Sequence, residues 1–168
     1  MNNMDYSLSG NDIKELLLNK VKIITHGEIK NYNNINNLLG KYKKCVILYR
    51  STPDYGHWTA LFKNKHGINF FDSYGNKPDN ILKFLPNNLN KDLEQDHINL
   101  LKLLYKSREK IYYNEYPLQE FKENINTCGR WVVLRLFLSN LTETEFNNLF
   151  KKKNITPDEL ITKIVKIE

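Results

Sequence analysis

Cysteine is scarce in this chain of 168 residues, which contains only Cys45 and Cys128. Two cysteines cannot form the network of disulfides that holds a small secreted domain together. We therefore expect the protein to work in a reducing environment, inside a cell or inside a particle that is assembled in one.

Long apolar runs are also missing. The longest, Trp131–Leu138, is interrupted by Arg135 and is far shorter than the ~20 residues that cross a bilayer. Residues 1–11 are polar and have none of the apolar stretch of a signal peptide. We expect a soluble protein that does not act at a membrane.

Two kinds of binding motif are absent as well. The sequence has no glycine-rich loop of the kind that cradles phosphate groups, and no set of Cys and His residues with the spacing of zinc ligands. It also has no internal repeat and no low-complexity linker. We therefore predict a single domain over residues 1–168, a length that suffices for a buried core.

The charge is unbalanced towards the basic side. Lys and Arg number 25 against 19 Asp and Glu, which gives a net charge of +6 at neutral pH. An excess of this size favours weak association with nucleic acid or another polyanion. The basic residues are scattered, apart from short runs at 41–44 and 151–153, so a generally soluble surface explains the charge equally well.

Apolar segments in the middle of the chain predict strands over Cys45–Arg50, His57–Lys63 and Ile68–Ser73. Residues 64–67 join the last two, and the glycine there suits a tight hairpin turn. Lys110–Tyr113 predicts a short edge strand. We expect these strands to form a central, mainly antiparallel sheet.

Helical patterns flank the predicted strands. Ser9, Thr142 and Thr156 each begin a pattern typical of a capped helix start. Apolar spacing predicts two more helices, over 90–105 and over Cys128–Leu138, and the second is apolar on most faces and therefore buried. The fold class that follows is α+β, with a mainly antiparallel sheet flanked by helices.

Cys128 is a candidate nucleophile because it follows a polar loop and begins the most apolar predicted helix. A thiol attacks only as a thiolate, which a helix N-terminus or a neighbouring imidazolium favours. A backbone N–H in this place can also donate to an oxyanion, and Gly129 allows close approach of a substrate. A lone cysteine at a helix start is more often a packed core residue. Cys45, between apolar neighbours in a predicted strand, is expected to be an inert core thiol.

His57 is the best placed of the four histidines to act as a base. It begins a strand directly after Gly56, where a side chain can reach into a cleft at the sheet end. Asp72 lies almost as far from the hairpin turn as His57 does, so its carboxylate is expected to accept a hydrogen bond from the imidazole. Without a catalytic role, His57 could be a surface residue of the strand and Asp72 an aspartate that caps the following turn.

Taken together, these residues resemble a known family. The motifs are Gly56-His57-Trp58, Phe71-Asp72-Ser73-Tyr74-Gly75, Gln119 and Thr127-Cys128-Gly129. They are similar to those of the adenovirus-type (adenain-like) maturation proteases, which share a clan and the chain order His, Asp, Cys with the SUMO-specific proteases. The resemblance covers residues 45–139 and is strongest to proteases of virophages, of the mavirus type, and of the related Maverick–Polinton DNA transposons.

The resemblance implies a role for each residue. His57 would be the general base and then the general acid, Asp72 would orient it, and Cys128 would form the acyl-enzyme. Gln119 would complete an oxyanion hole with the backbone N–H of Cys128, and Asn124 or Asn126 are alternatives to it. The implied fold places the nucleophile at the N-terminus of a buried central helix.

The resemblance also implies a substrate cleft and a biological task. Trp58 and Gly129 would line the cleft, although Trp58 serves equally well as a core aromatic. The protein would process capsid and core precursor polypeptides during virion maturation, in the virion and at the assembly site in the host cell. No cofactor would be required, DNA or a viral peptide could stimulate the enzyme, and a monomer is expected.

Three alternatives stay open at this point. The same triad could act on ubiquitin-like tails as an isopeptidase. Bacterial effector acetyltransferases use the same order of His, acid and Cys, but they need an acyl-CoA site, for which no segment is suggestive. A basic DNA-packaging or capsid-associated protein without catalysis would account for the charge alone.

Overall fold

The computed structural model describes residues 3–168 and contains one sheet of five strands in the order β1-β2-β3-β4-β5. The pairs β2–β3 and β3–β4 are antiparallel, whereas the outer pairs β1–β2 and β4–β5 are parallel. The strands are β1 (Lys22–Thr25), β2 (Lys44–Arg50), β3 (Gly56–Asn64), β4 (Gly67–Phe71) and β5 (Ile111–Tyr113).

The predicted α+β class is confirmed, but the sheet is mixed rather than mainly antiparallel. The three central strands and the edge strand β5 lie where the sequence predicted them. The strand β1 was not predicted, because its four residues, Lys22–Thr25, form no long apolar or alternating pattern. Gly67 begins β4 after the hairpin turn with a φ of +143°, and a Cβ atom there would lie 2.5 Å from the carbonyl oxygen of Lys110. Only glycine fits this position without a shift of the backbone.

Helices cover both faces of the sheet. In chain order they are α1 (Gly10–Leu16), α2 (Ile35–Leu39), α3 (Asn87–Asp92), α4 (Asn99–Ser107), α5 (Cys128–Phe137), α6 (Glu143–Asn148) and α7 (Pro157–Ile164). Three 3₁₀ segments accompany them, at Asn3–Asp5, His26–Asn31 and Asn80–Phe84. No helix within residues 3–168 is both long enough and apolar enough to cross a membrane.

The capped helix starts predicted at Ser9, Thr142 and Thr156 are all present, each as a complete capping box. The single helix predicted over 90–105 is wrong, because the chain forms α3 and α4 with a break between them. The break allows the buried side chain of Gln95 to accept from the Arg50 N–H at 3.1 Å and to donate to the Arg50 carbonyl at 2.6 Å. The end of β2 thus gains two hydrogen bonds that a continuous helix would have prevented.

The core has two layers, one on each face of the sheet. On one face α5 packs against β3, and all of α5 except Phe137 is buried. On the other face α2 and α4 cover apolar residues of β2, β3 and β4. A continuously apolar segment such as α5 suits this central position. The helix therefore holds its first residue, Cys128, rigidly at one end of the sheet.

Candidate active site

A cleft of about 1010 Å³ opens where β3 and α5 begin. His57 and Cys128 face it from these two elements, and Gln119 faces it from the loop before α5. Its wall is mainly apolar, and its apolar and aromatic lining residues are Tyr49, Tyr74, Ile81, Phe84, Leu85, Pro117, Leu118 and Phe121. Three of the residues that the sequence singled out are thus brought to one cavity.

His57 is joined to Asp72 by a hydrogen bond of 2.7 Å between Nε2 and Oδ1. The predicted partnership is present, but its register differs from the expected one. The last pair of the β3–β4 ladder joins Ala60 to Phe71, and one further step places Asp72 opposite Thr59, two residues from His57. The contact is therefore a diagonal one on a single face of the hairpin.

The environment of His57 stabilises its charged form. Burial of the ring by itself favours the neutral imidazole. The charge of Asp72 and its hydrogen bond act in the opposite direction, and so does the hydrogen-bonding contact with the side chain of Cys128. Together they raise the pKa of His57 from 6.5 to about 10. The imidazole of His57 is therefore held in its charged form at neutral pH.

Tyr74 covers the ring of His57. The two rings stack with their centroids 4.4 Å apart and their planes 18° apart. The backbone N–H of Tyr74 also donates to Oδ1 of Asp72 at 2.8 Å, so one carboxylate holds both the imidazole and the segment that shields it. Outside Tyr74 lies Phe121, in an edge-on contact with a centroid distance of 5.4 Å. The stack limits the access of water to the bond between His57 and Asp72.

Cys128 is the first residue of α5 and is 6% exposed. The first intrahelical bond runs from the N–H of Trp131 to the carbonyl of Thr127 at 3.1 Å. Thr127 provides no side-chain cap, because its hydroxyl donates elsewhere. The N–H groups of the first turn therefore have no acceptor within the helix, and they lie beside the thiol. Such a position can stabilise negative charge on the sulfur or on a substrate oxygen.

Asp158, in the first turn of α7, fixes the segment around the thiol. Its Oδ1 accepts from the hydroxyl of Thr127 at 2.6 Å and from Nε1 of Trp131 at 3.1 Å. Its Oδ2 accepts from the backbone N–H of Glu120 at 2.8 Å. One buried carboxylate therefore connects the start of α5 to the residue that follows Gln119. The sequence signalled Asp158 only as part of a capping box, with no sign of this contact.

Gln119 is 4% exposed and fully engaged in hydrogen bonds. Its Oε1 accepts from the hydroxyl of Ser73 at 2.7 Å. Its Nε2 donates to Oη of Tyr74 at 3.2 Å and to the carbonyl of Ile125 at 3.1 Å. The backbone N–H of Gln119 also donates to the carbonyl of Ser73 at 2.9 Å. Gln119 is thus tied to the segment that carries Asp72 and Tyr74.

The two alternatives to Gln119 are placed differently. Asn124 is exposed on a turn. Asn126 lines the cleft, but its side-chain amide donates to the carbonyl of Asp5 at 2.9 Å and its backbone N–H donates to Met4. Both groups of Asn126 therefore hold the N-terminal segment. Of the three candidate donors, Gln119 and Asn126 line the cleft and Asn124 is not among its lining residues.

Trp58 and Gly129 lie beneath the cleft and not in its wall, which corrects the expectation from the sequence. Trp58 is packed in the core layer under α5, and its Nε1 donates to the carbonyl of Leu8 at 2.9 Å. Gly129 faces the side chain of Leu8 so closely that an added Cβ atom would lie 2.8 Å from the Cβ of Leu8. Both residues therefore shape the site by holding the N-terminal segment against α5.

The remaining thiol, Cys45, has no exposed surface in the middle of β2. Burial raises its pKa to about 12, against a small opposing effect of the charge of Lys22. The expectation of an unreactive core thiol agrees with this environment. Within residues 3–168, no group of three or more His, Cys, Asp and Glu side chains is arranged to hold a metal ion.

Comparison with known proteins finds distant similarity to solved structures and a sequence relative that aligns over most of the chain. No protein-family model matches the chain. Among solved structures, the pS273R protease of ASFV aligns with a TM-score of 0.49 and 20% identity, over 95% of this chain and 66% of that one. ChlaDub1 from Chlamydia trachomatis aligns with a TM-score of 0.37 and 14% identity, over 94% of this chain and 76% of that one.

The sequence relative is a protein of the Sputnik virophage that carries the description "Uncharacterized protein V9". It is 42% identical over 163 residues, and the alignment spans 94% of this chain and 93% of that protein. An identity of this size over almost the whole of both chains places them in one family. The chain belongs to the family of the Sputnik virophage V9 protein.

Proposed function

We propose that this protein is a cysteine endopeptidase in which Cys128 is the nucleophile, His57 the base and Asp72 the residue that orients the base. The observation that carries the proposal is the arrangement in the cleft wall: the side chain of Cys128, at a helix start, faces the same cleft as His57 and helps to raise the pKa of that imidazole, and a buried carboxylate binds Nε2 of the ring. A cysteine that served only as a core residue would not require a neighbouring imidazole or a carboxylate bound to that imidazole.

The first half of the reaction follows from this arrangement. His57 holds the proton of the thiol, and Sγ of Cys128 attacks the carbonyl carbon of the peptide bond. The π electrons of the carbonyl move onto its oxygen, and donors at the start of α5 stabilise that charge. The C–N bond then breaks, and the imidazolium gives its proton to the leaving amine. The product is a thioester between Cys128 and the substrate.

Water completes the cycle. The neutral imidazole takes a proton from a water molecule, whose oxygen attacks the thioester carbon. The C–S bond breaks, the carboxylic product leaves, and the proton on His57 again faces the thiolate. Asp72 keeps Nε2 of the ring occupied throughout, so that Nδ1 is the nitrogen left for the thiol and for water.

The substrate that we propose is an extended viral polypeptide, a capsid or core precursor that is cut during virion maturation. The support is the membership of a virophage protein family and an open cleft whose described lining is mainly apolar and contains no Lys or Arg. We propose that the enzyme acts as a monomer, in the virion and at its assembly site. DNA and a viral peptide are proposed as stimulators, and the net charge of +6 is what supports DNA.

Labelling with iodoacetamide tests the chemistry without knowledge of the substrate. Cys128 should react much faster than Cys45, and His57→Ala should slow the reaction at Cys128. Mass spectrometry of peptides assigns the label to either residue. Equal labelling of both cysteines in the folded protein would contradict the proposal and would leave a basic packaging protein as the better explanation.

Co-expression with a virophage capsid precursor tests the substrate. The capsid precursor should be cut by the wild type and left whole by Cys128→Ala, which should fold normally because the side chain is only shortened by its sulfur. Incubation of the same preparations with a ubiquitin-like protein whose C-terminus is joined to a lysine side chain of a second protein provides the comparison. Release of the second protein, with the capsid precursor intact, would identify an isopeptidase instead.

A further inference from the structure

The amide of Gln119 has no hydrogen left for a substrate in this structure. Its two hydrogens are directed at the carbonyl of Ile125, 3.1 Å away, and at Oη of Tyr74, 3.2 Å away. Its oxygen accepts from the hydroxyl of Ser73 at 2.7 Å, which fixes the orientation of the amide. The group of this cluster that still has a hydrogen to donate, and whose residue lines the cleft beside His57 and Cys128, is the hydroxyl of Tyr74.

The position of Tyr74 is set by three independent contacts. Its ring stacks on the imidazole of His57, its backbone N–H donates to Asp72, and its Oη accepts from Gln119. Tyr74 lines the same cleft as Cys128. A phenol oxygen that accepts one hydrogen bond can still donate its own hydrogen. No acceptor within residues 3–168 takes that hydrogen.

We propose that the hydroxyl of Tyr74 is a further catalytic group, a hydrogen-bond donor to the oxyanion, and that Gln119 acts through it. The inference rests on the proposed function of the cleft. Ser73 donates to Gln119, Gln119 donates to Tyr74, and Tyr74 donates to the substrate oxygen. Each bond in such a chain polarises the next one, so the last donor is stronger than an isolated phenol.

The protonation state of Tyr74 is consistent with a donor. Burial raises the pKa of its phenol well above the ordinary value, and the nearby charges of Cys128, Asp72 and Asp158 raise it further. The hydroxyl therefore keeps its hydrogen at neutral pH. It donates a hydrogen bond and transfers no proton, so the proton balance stays with His57.

Acylation by p-nitrophenyl acetate tests this step without the natural substrate. The sulfur of Cys128 forms a bond to the acetyl carbon, the carbonyl π electrons move to oxygen, and p-nitrophenolate leaves with the electrons of the broken C–O bond. Alkylation by iodoacetamide is the matched reaction, because the sulfur attacks a CH₂ carbon, iodide leaves and no oxyanion forms. Both reactions require the thiolate, but only the first requires the oxyanion hole.

Tyr74→Phe keeps the ring on His57 and removes only the hydroxyl. We expect it to slow acylation of Cys128 by about 100- to 1000-fold, the size of effect that follows the loss of one oxyanion donor. Alkylation by iodoacetamide should change less than about twofold, because the stack and the contact between His57 and Cys128 remain. Tyr55→Phe, at an exposed tyrosine outside the cleft lining, is the control and should leave both rates unchanged.

Ser73→Ala provides a second test that does not touch the cleft. It removes the first donor of the chain, so acylation should slow by a smaller factor than in Tyr74→Phe while alkylation is unchanged. Acylation at the wild-type rate in Tyr74→Phe, or a faster rate, would overturn the inference. Failure of the inference about Tyr74 can be told apart from failure of the proposed function. If the proposed function is wrong, even the wild-type protein will show no acylation of Cys128 that depends on His57.

Discussion

His57 and Asp72 share a hydrogen bond of 2.7 Å, and their residues are 8% and 1% exposed. In the proposed reaction His57 carries the proton, whereas Asp72 orients the ring and favours its charge. We therefore expect Asp72→Asn to slow acylation of Cys128 by about 10- to 100-fold and His57→Ala to slow it by about 1000-fold. Rates of p-nitrophenolate release measure both, and equal losses in the two variants would contradict the division of roles.

Protonation of His57 also links stability to pH. Its pKa in the folded protein is raised to about 10, against 6.5 for the ordinary imidazole. The charged ring therefore stabilises the fold fully below about pH 6.5, and this stabilisation is lost as the pH rises through about 10. The wild type should exceed His57→Gln in Tm most at pH 6, and the difference should decrease steadily to near zero above pH 10.

Thermal unfolding of the two proteins at intervals between pH 6 and 10.5 checks this expectation. The comparison is made as a difference because groups that titrate in both proteins cancel. A difference in Tm that stays constant over this range would show that the pKa of His57 is the same in the folded and the unfolded protein, contrary to the raised pKa.

The parts of the site that could be predicted from the sequence are those set by local rules. His57 and Asp72 belong to one hairpin with a short turn, so their proximity follows from the turn position, although the offset of two residues does not. Cys128 was placed at a helix start by the change from a polar loop to an apolar segment. The catalytic role of all three residues stays a prediction.

Contacts between distant segments were not predictable in this way. Asp158 reaches Thr127 across 31 positions, and nothing in either segment indicates the other. The break between α3 and α4 lets the side chain of Gln95 bind the backbone N–H and carbonyl of Arg50 at the end of β2, and the position of that strand end cannot be read from the helical segment. The family resemblance implied a place for Trp58 in the cleft, but alternation along β3 turns it towards the core under α5.

Asp158 gives a prediction about the position of the thiol. In Asp158→Asn the new NH₂ group must face either the Glu120 N–H or the donors of Thr127 and Trp131, so one hydrogen-bonding contact becomes repulsive. We expect a lower Tm and an acylation rate at Cys128 that is reduced several-fold. Folded protein with unchanged acylation would show that this contact does not position the thiol.

Thr127→Val separates positioning from general stability. It removes the hydroxyl that donates to Asp158 while keeping the shape of the side chain, and it should cost about 1.5–3 kcal/mol in urea unfolding, as expected for a bond to a charged group. Acylation should also slow. Thr162→Val is the matched control, because the hydroxyl of Thr162 donates to the backbone carbonyl of Asp158 at 2.8 Å within α7. It should leave acylation unchanged.

Gly129 and Leu8 give the last prediction. An added Cβ at Gly129 would lie 2.8 Å from Cβ of Leu8, so Gly129→Ala should destabilise the protein by about 1–3 kcal/mol through overpacking. Leu8→Ala alone should cost about 2–5 kcal/mol because it empties part of the core. Shortening Leu8 leaves its Cβ in place but removes the Cγ and Cδ1 atoms, at 3.2 and 3.3 Å, that resist a shift. The loss of unfolding free energy in the double variant, measured by urea unfolding, should therefore be smaller than the sum of the losses in the two single variants. Strict additivity would show that this contact is not the reason why position 129 requires glycine.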